Sequence, residues 1–270
     1  MDETMVALRD AIDRMPKPPP GFLPAPLCGA CSDSGMVVHV RNGARFVSEC
    51  VCRRDRVLRQ RLERSGIPRK YTGVRLADFQ TKGMDPSIGW AATFARGIVT
   101  TWPMVDRGLL LCGTCGVGKT HLAAAMLAEL VAERGASGRF WDVSELLVQL
   151  KRGFNREAAA SDETPIRSEG SMFEEMKRVD VLVLDDLGAD RATDWAFDEV
   201  RLMISGRYNA GLLTVLTSNF PNLGPGEGRA VGGVKQETLG DRVGARTWSR
   251  LQEMCRPMEM VGADFRRKRA

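Results

Sequence analysis

The sequence predicts an α/β fold, a five-stranded parallel sheet flanked by helices, with a small cysteine-bearing module in front of it. Three observations lead there. From about residue 75, apolar runs alternate with helical stretches, the pattern of a parallel sheet buried on both faces. Gly113 to Thr120 spell G-x-x-x-x-G-K-T between an apolar run (108–112) and an Ala/Leu-rich stretch (121–133). That strand–loop–helix setting marks a phosphate-binding loop. Two close cysteine pairs, Cys28/Cys31 and Cys50/Cys52, lie well upstream.

Taken in order, residues 2–15 suit a short amphipathic helix with Met5, Leu8 and Ile12 on one side. Pro16, Pro18, Pro19, Pro20, Pro24 and Pro26 then favour an extended linker. In the cysteine segment, 28–52, Met36-Val37-Val38 and Arg45-Phe46-Val47 flank Asn42-Gly43, a hairpin signal. The arginine-rich stretch 53–64 reads as a helix ended by Gly66 and Pro68. Strands are predicted at 108–112, 138–142, 179–184, 212–217 and 257–261, and helices near 88–101, 119–134, 144–152, 194–209 and 246–254. Stretches 153–171 and 222–235 read as mobile. The expected organisation is an N-terminal region, 1–65, containing the linker and the module, and a nucleotide-binding domain, 66–270.

The chemistry begins at the loop. Glycines at 113, 116 and 118 free the backbone of Gly113, Thr114, Cys115, Gly116, Val117 and Gly118, so that successive N–H groups point at phosphate oxygens. The N-terminus of the next helix, running into His121, adds its dipole. Lys119 supplies a point charge for the outer phosphates and Thr120 a hydroxyl for Mg²⁺. Val181 to Leu184 lead into Asp185-Asp186, a carboxylate pair at the end of an apolar strand. Asp185 is expected to bind Mg²⁺, directly or through water, and Asp186 to orient or deprotonate the attacking water. A longer Glu is common at the second position, so Asp186 predicts slow hydrolysis. The strand 212–217 ends in Ser218-Asn219, where Asn219 can bridge that water and the γ-phosphate. Arg242, Arg246 and Arg250 fall four apart and share one helical face. They form either a solvated stripe or arginine fingers for a neighbouring subunit's nucleotide.

C-x₂-C followed by C-x-C gives Cys28, Cys31, Cys50 and Cys52 as four thiolates for a structural Zn²⁺. The hairpin between the pairs is too short for a core of its own, so a metal would supply much of its folding energy. His39 is expected on the hairpin surface. Cys112 and Cys115 repeat the C-x₂-C spacing at the phosphate loop, where zinc would block the phosphates. Cys255 reads as a buried helix residue.

No apolar stretch is long enough to span a bilayer, and the acidic start, Met-Asp-Glu-Thr, lacks the features of a secretory signal. Seven cysteines without such a signal point to a reducing compartment. A cytoplasmic protein without a membrane partner is predicted. The net charge of +5 permits nucleic-acid binding without requiring it.

Together these residues resemble the DnaC/DnaI-type helicase loaders, IstB/DnaC-like members of the AAA+ ATPases. Gly66-Ile67-Pro68-Arg69-Lys70-Tyr71 with Phe79 resembles the family's lead-in, and Gly113–Thr120 with His121-Leu122-Ala123 its Walker A. Asp185-Asp186-Leu187-Gly188 is similar to its Walker B and Thr217-Ser218-Asn219 to its sensor 1. Ser249-Arg250-Leu251 with Met258 to Gly262 resembles the box bearing the arginine finger. The four cysteines with Asp33 and Gly35 resemble the zinc segment of phage-like members. The resemblance implies ATP as the nucleotide and Arg250 and Arg246 as finger candidates, with Arg242 third. It also implies self-association, single-stranded DNA binding and delivery of a hexameric replicative helicase, contacted by the N-terminal module. Because the chain ends soon after Phe265-Arg266, the helical lid of full AAA+ proteins is expected to be absent, as in loaders. Lys151, Arg152 and Arg156 are candidate DNA contacts. Two other readings share the motifs: a transposition helper ATPase of the IstB type, which as a rule lacks the cysteine module, and a non-hydrolysing adaptor in which nucleotide is structural.

Overall fold

The computed structural model describes residues 28–150, 169–189, 194–231 and 234–266. The helix expected at 2–15, the proline linker and the candidate contacts Lys151, Arg152 and Arg156 lie outside them. The chain divides into two compact units, Met1–Val57 and Leu58–Ala270.

In the first unit, β1 (Met36–Arg41) and β2 (Ala44–Glu49) form an antiparallel hairpin in which Val38 faces Val47. Asn42 and Gly43 both take positive φ, 52° and 77°, as the two-residue turn matching strand twist requires. Most hairpin side chains are exposed, and Val38, Val40, Phe46 and Val47 stand in solvent. Among the described residues of this unit, no apolar core forms. Helix α1 (Val51–Arg64) follows.

The second unit is built on one sheet of five parallel strands, as predicted. They are β3 (Gly108–Gly113), β4 (Gly138–Asp142), β5 (Val181–Asp185), β6 (Leu213–Ser218) and β9 (Cys255–Met260), in the order β4-β5-β6-β3-β9. Side chains alternate between faces, so both faces of each central strand are apolar. Leu109, Leu111, Val181, Val183 and Val215 join one core with α2 (Pro86–Thr101) and α3 (Lys119–Glu133). Leu110, Leu182, Leu184 and Leu216 join the other, with a helix that starts at 143 (α4), α5 (Glu169–Arg178), α6 (Asp194–Ala210), α7 (Leu239–Val243) and α8 (Ala245–Met254). Asp85 caps α2 by accepting from the Ser87 amide at 2.9 Å, and Pro86 supplies its first turn.

Arg207 on α6 is fully buried, with the Asp180 charge acting on it from nearby. Its guanidinium donates to the carbonyls of Met176, Val179, Asp180 and Leu213 and to Thr214 Oγ1. The cation thus ties α5, α6 and the start of β6 together, and burial lowers its pKa to about 10.

Three expectations need correction. Helix α5 occupies the end of the stretch read as mobile, because Phe173 and Met176 find the second core, a tertiary fact. Residues 222–235 are not slack either. Gly224 N–H donates to Glu227 (2.7 Å), Gly226 N–H to Asp241 (2.7 Å) and Thr238 Oγ1 to the Gly224 carbonyl (3.0 Å), and the segment ends in a small ribbon, β7 (Ala230–Val231) with β8 (Val234–Lys235). Cys255 is buried, but it opens β9 and does not lie on a helix.

Candidate functional site

Strand β3 delivers the chain to Gly113, and the loop turns through left-handed Gly116 (φ 81°) and Gly118 (φ 102°) into α3. Gly118 is the N-cap of α3, so the amides that begin the helix face the loop's concavity. Lys119 is 6% exposed, and its ammonium donates to the carbonyls of Gly113 and Thr114 at 2.8 Å and to Asn219 Oδ1 at 2.7 Å. Burial lowers its pKa, opposed by Cys115 and Asp186.

Asp185 ends β5 and is 7% exposed. Burial raises its pKa, although hydrogen bonds from the Thr217 and Thr120 hydroxyls pull the other way. Thr217 Oγ1 donates to Asp185 Oδ1 at 2.6 Å and accepts the Asp186 amide at 2.9 Å. One buried hydroxyl on β6 therefore positions both members of the carboxylate pair. Asp186 adopts φ 61°, a left-handed conformation that Asp tolerates better than most residues. Asn219 Nδ2 donates to Asp186 Oδ1 at 2.5 Å. Asn219 thus joins Lys119 on one side to Asp186 on the other.

These groups border a cavity of ≈ 660 Å³, a size suited to a small-molecule ligand. Cys115, Gly116, Val117, Gly118, Lys119, Thr120, His121, Asp186 and Asn219 line it. Gly113 and Thr114 instead hold Lys119 through their carbonyls, and Asp185 meets Thr120 behind the wall. Aromatic and apolar side chains also line it, among charged ones such as Lys70 and Asp78. His121 stacks on Tyr71 with ring centroids 5.9 Å apart and meets the edge of Phe79 at 5.3 Å, beside Val74 and Met84. The sequence reading did not count Tyr71, Phe79, Val74 or Met84 as site residues. The aromatic pair eight residues apart, just before α2, was the available signal.

The arginines do not share one helical face. Gly244, at φ 82° and ψ 152°, breaks the chain between α7 and α8, so Arg242 stands on one helix and Arg246 and Arg250 on the next. Four-residue spacing implies a common face only within an unbroken helix. Arg242 Nε donates to the Gly188 carbonyl at 2.6 Å and Nη2 to Ala189 O at 3.2 Å, and the guanidinium lies over the Phe220 ring. It braces the turn after Asp186 in its own subunit. Arg250 donates to Ser205 Oγ and lies 5.7 Å over Tyr208. Arg246 is exposed, and none of the three lines the cavity.

In the first unit, Cys28, Cys31, Cys50 and Cys52 place their four sulfurs within 4.8 Å of one another. A tetrahedral ion with metal–sulfur bonds of about 2.3 Å needs sulfurs about 3.8 Å apart. Cys28 and Cys50 stand at 3.7 Å and Cys31 and Cys52 at 3.3 Å, so the donor set fits a closed four-thiolate site. The first pair sits on a tight knuckle, with Ser32 N–H donating to Cys28 O (2.9 Å) and Cys28 N–H to Asp33 (3.0 Å). The Cys50 amide bonds back to Gly35 O at 2.9 Å. His39 points away, with Nε2 2.7 Å from Ser48 Oγ on the exposed hairpin surface.

Residues 37–231 match the family of IstB-like ATP-binding proteins. The crystal structure of the DnaC helicase loader superposes with a TM-score of 0.57 at 26% identity, covering 72% of this chain and 100% of that one. The replicative helicase loader DnaI of Bacillus subtilis is 36% identical over 42% of this chain and 33% of its own length. A Mycobacterium tuberculosis protein described as an insertion-sequence ATP-binding protein is 36% identical over 44% of this chain and 43% of its own. The chain thus spans less than half the length of both curated relatives.

Proposed function

Starting from a chain that belongs to the family of IstB-like ATP-binding proteins, we propose that it is an ATP-hydrolysing loader that delivers a hexameric replicative helicase onto single-stranded DNA. The observation that carries this reading is the joint presence of a loader-like core and a four-cysteine unit. The core matches the whole of the DnaC chain in fold, and the cysteine cluster offers a second, separately folded surface.

In this mechanism Lys119 leaves its carbonyl partners for the outer phosphates, while the loop amides of 114–119 hold the rest of the triphosphate. Thr120 and Asp185, already in hydrogen-bond contact, would hold Mg²⁺, which when bound neutralises charge building on the transferring phosphoryl group. Asp186 orients the attacking water. Asn219 moves with Lys119 and reports whether a γ-phosphate is present. Arg250 or Arg246 reaches the nucleotide of a neighbouring copy. Stacked on Tyr71 and edged by Phe79, His121 frames an apolar slot for the base. The four cysteines would hold Zn²⁺ as a structural ion with no open coordination position.

The deciding experiment is capture of the replicative helicase by the intact chain and by a chain lacking residues 1–57, with ATP turnover measured in parallel. The expected result is capture by the intact chain alone, and slow turnover that single-stranded DNA stimulates and Lys119→Ala abolishes. Failure of the intact chain to capture the helicase would sink the loader reading. An insertion-sequence relative favours a second reading, a transposition helper. Stimulation by the cognate transposase in place of the helicase would establish it.

A further inference from the structure

Asp186 stands on a turn that its own strand does not hold. β5 ends at Asp185, and the chain then passes through two left-handed residues, Asp186 (φ 61°) and Gly188 (φ 91°). Strand β6 closes one side of that turn. Leu187 N–H donates to the Thr217 carbonyl at 2.8 Å, and Ser218 Oγ donates to the Leu187 carbonyl at 2.8 Å. Arg242 closes the other side. Its Nε donates to the Gly188 carbonyl at 2.6 Å and its Nη2 to the Ala189 carbonyl at 3.2 Å, while Nη1 lies 3.3 Å from Glu237. Gly188 is buried, so its carbonyl needs a donor from within the protein. The guanidinium carbon lies 5.0 Å from the centroid of the Phe220 ring, on the residue that follows Asn219.

The fit is close and its base is fixed. A Cβ on Gly188 would stand 3.2 Å from Arg242 Cβ and 3.4 Å from a Phe220 ring carbon, and the Arg242 side chain is only 10% exposed. Helix α7, which carries it, is fastened to the chain that follows β6. Leu239 N–H donates to the Pro221 carbonyl and Gly240 N–H to the Leu223 carbonyl, both at 3.0 Å. A planar fork of N–H donors can serve two adjacent carbonyls while its face covers a ring, which an ammonium cannot do. All three guanidinium nitrogens are thus engaged within one subunit. We propose that Arg242 is a positioning residue for ATP hydrolysis in its own subunit, clamping the Gly188–Ala189 backbone so that Asp186 and Asn219 stay in register about the attacking water. The inference rests on the ATP-hydrolysing reading above. It takes Arg242 away from the neighbouring subunit's nucleotide and leaves Arg246 and Arg250 for that task.

The test is steady-state ATP hydrolysis by the full-length protein and by Arg242→Met, alone and mixed with Lys119→Ala. Misplacing the group that orients the water is expected to lower kcat roughly 10- to 100-fold. KM should stay within about twofold of the parent, because Arg242 does not line the cavity. Mixing should restore nothing. Lys119→Ala subunits bring an intact Arg242 to their neighbours, so they rescue Arg242→Met only if the arginine acts across the interface. Recovery on mixing therefore overturns the proposal, as does a parental kcat in Arg242→Met, or a loss of ATP binding along with kcat. Where Arg242→Met does not fold, Phe220→Leu decides, since it removes the ring under the guanidinium and no polar group. A lower kcat at parental KM in that variant supports the clamp, and a parental kcat overturns it. Asp186→Asn separates the inference from its premise. Turnover lost in Asp186→Asn but parental in Arg242→Met removes the clamp alone, whereas a parent protein that hydrolyses no ATP removes the ATPase reading itself.

Discussion

Asn219 is where the two halves of the site meet, because its amide accepts from Lys119 and donates to Asp186. Asn219→Ala leaves the phosphate loop intact and removes the link to Asp186. Its kcat for ATP hydrolysis is expected to fall by about 10² with KM little changed, a split that steady-state kinetics will read. Asp185 carries a different signature. Burial raises its pKa from an ordinary 3.8, so the folded protein holds that proton more tightly than the unfolded chain. Ionised Asp185 therefore costs stability, and the cost appears as pH rises above the ordinary carboxylate range through the raised value. Asp185→Asn is expected to melt higher than the parent at pH 7 without ligand, the gap closing toward pH 4, while Mg²⁺-dependent ATP binding is lost. Thermal melts across that range, with and without ATP, check both parts. The parent melting higher at pH 7 would overturn the sign. Thr217 is the residue the sequence concealed. Its place in a Thr-Ser-Asn strand end was visible, but its service to both carboxylates needed β5 and β6 side by side.

At the scale of elements, central strands were legible to within two residues, because Val-Leu-Val-Leu can be satisfied only between two apolar layers. The exceptions were elements made by their partners. Helix α5 forms on the second core, and α7 begins at Thr238 with a capping box that pairs it with Asp241. Gly244 decides the arginine geometry. Its φ of 82° with ψ of 152° is open to glycine and nearly closed to other residues. Gly244→Ala is expected to destabilise the protein by about 1–3 kcal/mol and to shift Arg246 and Arg250 relative to Arg242. Urea denaturation measures the first effect, and loss of ATP turnover on self-association the second. An unchanged unfolding midpoint would mean that α7 and α8 can merge without strain.

For the whole molecule, the two units are held by different forces. The unit Leu58–Ala270 has two apolar cores around its sheet. The hairpin unit has four converging sulfurs and an exposed apolar surface. Chelation should therefore act on one unit only. A high-affinity zinc chelator is expected to release about one equivalent of zinc and to abolish helicase capture while the main thermal transition and ATP binding persist. Elemental analysis, calorimetry and the capture assay together read this outcome. Freshly purified protein without zinc would remove the metal from the account, and collapse of the main transition would contradict the separateness of the units. Among the described residues, no helix is long and apolar enough to cross a membrane.

The sequence by itself determined everything that depends on neighbours along the chain. A phosphate loop is made of consecutive amides, a hairpin turn of two adjacent residues, and a thiolate pair of cysteines two or three apart, so short spacing carries their chemistry. Only the tertiary structure decided which distant groups share a cavity. Tyr71, Phe79 and His121 meet across some fifty residues, Lys119 and Asn219 across 100, and Phe265 and Gly116 across about 150. Parallel strands place residues far apart in sequence side by side at one end of a sheet, and that convergence is set by strand order, which no local spacing encodes.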